Sequence, residues 1–240
     1  MAEIFLSRKI QSLDLSYFTN VSGEKSLNAF FGLDSLKLKR IEGYDEKISK
    51  YILRHTMLMP RDIINIGNIY CEKKKYDSKD VGNEEILRRS VKHVAKNIAD
   101  EQMNICAILI STKWIYSGVV ESGNLNIYTD TDTINSIKYN LCTIVQKIGQ
   151  DRFTDRDIKR ILNNIEKYGF HVRENPFNAL FLAGLLGYVQ IDSEGNKSEI
   201  FFSESRISNY ILPLYLKEFV FRSSLIDYLE IKAIGVPVYA

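Results

Sequence analysis

The chain has 240 residues, 45% of them hydrophobic and 26% charged, with a formal net charge of +2. That balance is ordinary for a globular protein of one large or two small domains, and it offers no strong field to draw in nucleic acid or anionic lipid. Cys71, Cys106 and Cys142 are odd in number and lack CxxC spacing, so they suit a reducing compartment better than a disulfide frame.

Four prolines and thirteen glycines argue for long helices with few turns. No run approaches the roughly eighteen apolar residues of a membrane span, and "MAEIFLSRKIQ" lacks a signal-peptide core, so a cytoplasmic location is expected. "IFLSRKIQSLDLSYF" reads as a short helix, followed by the polar break "TNVSGEKS" and then by a mixed segment from Leu27 to Lys47. The pattern from Ile48 to Leu58 predicts a helix, and Pro60 starts the next one, its missing N–H suiting the first helical position. Ile63, Ile66, Gly67 and Tyr70 share one face of it, and "CEKKKYDSKDVGN" then reads as a polar linker.

From Glu84 to Met103 the helical period is strong: Leu87, Val91, Val94 and Ile98 fall in a narrow arc, with Arg88, Arg89, Lys92 and Lys96 on the other side. "ICAILISTKWIYSGVV", which holds the lone Trp114, suits either a buried helix or a strand. A further helix spans Thr133 to Ile148, with Ile134, Ile137, Leu141, Val145 and Ile148 inward and Gly149 as its stop.

Thr154 and Asp157 form a capping-box start to a helix with Ile158, Ile161, Leu162 and Ile165 inside and Gly169 at its end. Asn175 caps the next helix, "NPFNALFLAGLLG", with Pro176 in its first position. Two strands, "YVQI" and "SEIFFS", flank the turn "DSEGNK". Helix, loop, helix and hairpin is the order of a winged helix. The expected fold is therefore mainly α: a helical bundle followed by a winged-helix domain with a small β-hairpin. Its expected segments are 1–80, 81–150 and 151–240.

A DNA-reading helix needs donors and cations on its exposed face. "PFNALFLAGLLG" has one polar side chain, Asn178, and the presumed wing sets Asp192, Glu194 and Glu199 against Lys197. Packing or protein contact is the favoured use. Nucleic acid is a second, less favoured partner, with backbone contacts from Arg88, Arg89, Lys92 and Lys96; the plain alternative is a solvated face.

Catalytic signals fail one by one. "SGEKS" at 22–26 lacks the glycine a phosphate loop needs directly before its lysine, since Glu24 stands there. His55, His93 and His171 have no metal-ligand spacing, and no nucleophile motif occurs, so neither catalytic nor metal-binding residues are assigned. One feature stands out instead. In "MPRDII", Asp62 suits the positive first turn of its helix, but Arg61 opposes it by about 0.3–1 kcal/mol. That arginine wants an external anion; the plain alternative is a pair with Asp62.

"RHTMLMPRDIINIGN" together with "NPFNALFLAGLLGYVQIDSEGNKSEIFFSES…FVFRSSLIDYL" resembles the region after the nucleotide-binding core of STAND-like bacterial P-loop ATPases. The resemblance spans most of residues 48 to 230. Arg222-Ser223 stand where the family has His-Pro, and the Walker elements are absent. It implies a helical lid plus winged helix, non-catalytic by itself, that couples nucleotide state to partner recognition in signalling or antiphage defence. Arg61 would be the nucleotide sensor, with Arg54 and Thr56 as secondary candidates. No cofactor is expected in this chain; ATP or ADP would be held by an ATPase domain in cis or in trans, and no membrane is involved.

Overall fold

Proline, glycine and capping side chains set most helix boundaries in this chain. The computed structural model describes residues 27–37, 45–76, 81–112, 130–171, 175–202 and 211–234. The helix read at the N-terminus, the phosphate-loop-like "SGEKS" and Trp114 lie outside them. The chain forms two compact units, 1–98 and 99–240. Among the described residues the chain is mainly helical, with eight α-helices and two small antiparallel sheets.

The first unit begins with α1 (Leu27–Phe31), β1 (Ser35–Lys37), β2 (Asp45–Lys47), α2 (Ile48–Arg54) and α3 (Pro60–Tyr76). β1 and β2 pair with Leu36 opposite Glu46. The α2 helix stops at Arg54, short of the expected Leu58, because Thr56 intervenes: its Oγ1 donates to the Leu53 carbonyl (3.0 Å) and accepts from the Leu58 amide (3.2 Å). By contrast, α3 runs on to Tyr76, into the first half of the expected linker, since Lys73, Lys74 and Lys75 are good helix formers and suit its negative end. Ile63, Ile66 and Tyr70 are buried as their spacing requires, and the Tyr70 hydroxyl donates to the Phe31 carbonyl (2.9 Å). They join Phe31, Ile48, Ile52, Leu87 and Val91 in one core. Full burial stabilises by about 1.5–3 kcal/mol for each large aliphatic side chain.

Helix α4 (Asn83–Ser111) contains the boundary between the units, buries Leu87, Val91, Val94 and Ile98, and settles the ambiguous stretch as helical as far as Ser111. The second unit continues with α5 (Thr131–Ile148), capped by Asp130 through the amides of Asp132 and Thr133 and stopped by Gly149 at φ 73°. Leu141, Ile144 and Val145 are its buried residues; Ile134, Ile137 and Ile148 are half-buried. After β3 (Arg152–Thr154), the Thr154–Asp157 capping box opens α6 (Asp155–Leu162), with the Thr154 amide 3.0 Å from Asp157 Oδ2. This helix ends at Leu162 rather than Gly169, because Asn164 turns its side chain onto the Arg160 carbonyl (3.1 Å); a 3-10 turn over Ile165–Tyr168 fills the gap.

In α7 (Pro176–Leu182) Asn175 Oδ1 accepts from the Phe177 amide (3.1 Å) and Pro176 takes the first position. Gly184, at φ 71°, ends the turn that follows, so Leu185 and Leu186 leave the expected helix and Leu186 opens β4 (Leu186–Ile191). β5 (Lys197–Phe201) completes the expected hairpin around a turn in which Asp192 Oδ1 accepts from the amides of Glu194 and Asn196. β6 (Glu218–Phe221), absent from the sequence reading, inserts between β3 and β4, giving the order β3-β6-β4-β5. Phe153, Phe219, Phe221, Leu186 and Tyr188 line the sheet's inner face and share a core with Phe177, Leu180 and Phe181 of α7. Gly187 is obligatory there: an added Cβ would stand 2.6 Å from the Ile200 carbonyl oxygen. Cys106 on α4 is fully buried, and its thiol donates to the Ala179 carbonyl at 3.4 Å. The chain closes with α8 (Ser223–Leu229).

Candidate functional site

Arg54, Thr56 and Arg61, the residues read from sequence as nucleotide-sensing, all lie on or beside the turn joining α2 to α3. Arg54 is committed inward. Its Nε and Nη2 donate to the two carboxylate oxygens of Glu46 (2.8 and 3.2 Å), and the Glu46 side chain is fully buried. Such a two-pronged pair satisfies both groups, and removing one leaves the other charge buried and uncompensated. His55 stands beside it, also buried. Its Nδ1 donates to the Tyr51 carbonyl (2.7 Å), which leaves Nε2 to accept from Arg54 Nη1 (3.3 Å). Thr56 is fully buried and spends its hydroxyl on the turn, as described above. Arg54 and Thr56 are therefore braces of the turn.

Arg61 is placed differently. Its side chain is 71% exposed, and its Nε is 3.7 Å from Asp62 Oδ1. Asp62 itself is buried and points back, its Oδ2 accepting from the Met57 amide (3.3 Å). So Asp62 closes the turn from within, while Arg61 extends from the positive end of α3. Leu58 and Met59, just before it, are exposed as well. Leu58 has φ 59°, a left-handed backbone that costs a non-glycine residue on the order of 1 kcal/mol or more. Sequence reasoning singled out Arg61 from its dipole conflict, and the plain alternative, its pair with Asp62, is present; it missed Glu46, the inward role of Asp62 and the strained, outward Leu58, which no local pattern announces.

The four cations read as a nucleic-acid alternative do not act alike. Arg88 is mostly buried, donating to Glu84 Oε1 (2.6 Å) and to the Lys37 carbonyl, with its guanidinium 5.6 Å from the Tyr51 ring centre. Arg54 lies 5.1 Å from the same ring, so the structure brings together two candidates from different lists. Arg89 pairs with Glu85 one turn back (2.9 Å) at an exposed position. Lys92 is exposed and Lys96 half-buried. The expected recognition helix, α7, buries Pro176, Phe177, Ala179, Leu180 and Phe181, five of its seven residues.

A second titratable cluster joins α4, α5 and α8. Asp100 Oδ1 accepts from Lys138 Nζ (2.7 Å) and from the Tyr228 hydroxyl (2.6 Å). Burial pushes the Asp100 carboxyl up, but those two hydrogen bonds and the Lys138 charge outweigh it and hold it below the usual carboxylate range. Burial, then the bond to Asp100, pushes the Tyr228 phenol well up. A phenol that holds its proton more tightly is a poor general base; the cluster works as a clasp between helices. Among the described residues no group of three or more His, Cys, Asp or Glu is placed to hold a metal ion, and no helix is long and apolar enough to cross a membrane. No protein-family model, no curated protein and no solved structure matches this chain.

Proposed function

We propose that this chain is a non-catalytic regulatory and partner-recognition region of the STAND-like kind, working with a P-loop ATPase domain in cis or in trans. It couples the nucleotide state of that domain to a protein interaction in cytoplasmic signalling or antiphage defence. Arg61 is its sensor: exposed at the positive start of α3 on a turn braced from behind, it meets a phosphate held by the ATPase domain. That exposure is the observation that carries the reading. ATP and ADP bind the partner domain, not this chain.

Residues 131–221 fit a winged helix in which β3, β4 and β6 are the three strands of the sheet and β5 belongs to an insertion between the last two. A winged helix sets its third strand between its first and second, which is the place of β6. With α7 buried, this module serves packing or protein contact; the alternative, a DNA-binding regulator, gains no exposed recognition face from it.

Two measurements test the proposal. The purified chain alone is expected to hydrolyse ATP no faster than buffer, and turnover at an ordinary enzymatic rate overturns the non-catalytic assignment. Titration of duplex DNA against salt is expected to show no steep slope; loss of affinity by orders of magnitude between 50 and 200 mM, as several phosphate contacts produce (roughly 10³–10⁵-fold for six to ten of them), favours the DNA alternative.

A further inference from the structure

We draw no further inference here: the strongest candidate, the exposed apolar turn at Leu58 and Met59 between α2 and α3, carries nothing because no feature of the described residues shows what covers it.

Discussion

Two of the described helices open on a proline, and they use it for opposite ends. α3 begins at an exposed Pro60, followed by an exposed arginine and an aspartate turned inward; α7 begins at a buried Pro176, capped by Asn175 and followed by Phe177 with no exposed surface. In both, the ring supplies a ready φ and removes an amide that would lack a partner. What differs is the company. Every residue of α7 except Asn178 is apolar, so α7 is drawn into a core on several sides. Polar residues at positions 61, 65 and 68 keep one side of α3 in water. A helix start becomes available for recognition only when its first turn is left outside.

The largest blow to this contrast is expected from Phe177→Ala. Emptying a fully buried aromatic site should destabilise the 99–240 unit by about 3–5 kcal/mol in urea unfolding. A loss below about 1 kcal/mol would mean that α7 is not a core helix. Next comes Tyr70→Phe, near the other end of α3, which strands the Phe31 carbonyl and should cost about 1–3 kcal/mol. Tyr70 also carries a pH signature. Burial, then the neighbouring Cys71, pushes its phenol up to about 12, against about 10 in an unfolded chain. As pH rises the unfolded chain gives up this proton first, so the contribution is intact below about pH 10 and is lost towards pH 12. Stability of Tyr70→Phe should therefore decline less steeply over that window than that of the unmodified protein.

Asn175→Ala removes one cap and should cost about 1 kcal/mol in the same urea assay. The smallest effect is expected from Arg61→Ala. With most of its side chain in water, its removal should shift unfolding by less than about 0.5 kcal/mol. Should Arg61→Ala destabilise as much as Asn175→Ala, Arg61 would be a structural residue and the contrast between the two helix starts would collapse.

How far the sequence could be read follows from the range of each interaction. The starts of α3, α6 and α7 and the stop of α5 rest on residues within four positions of one another, such as Thr154 with Asp157, and are visible as short patterns. The hairpin β4–β5 is likewise local. β6 was missed because "EFVF" is a strand only through partners about thirty and more than sixty residues away, and nothing nearby marks it. The same distance law governs the site. The dipole conflict at Arg61 is a one-turn property, whereas the reassignment of Arg54 to a brace depends on a carboxylate that a separate strand delivers. Leu58 is harder still, because its conformation is imposed by Thr56 and Asp62 against its own preference.

The thiol of Cys106 has a practical use. It is wholly enclosed, donates to the α7 backbone at Ala179, and burial keeps it protonated far above the normal thiol range. An alkylating reagent can capture that sulfur only after α7 has lifted away from α4. The speed of its modification would then act as an inbuilt clock for how often this part of the protein comes apart, with no dye or mutation added.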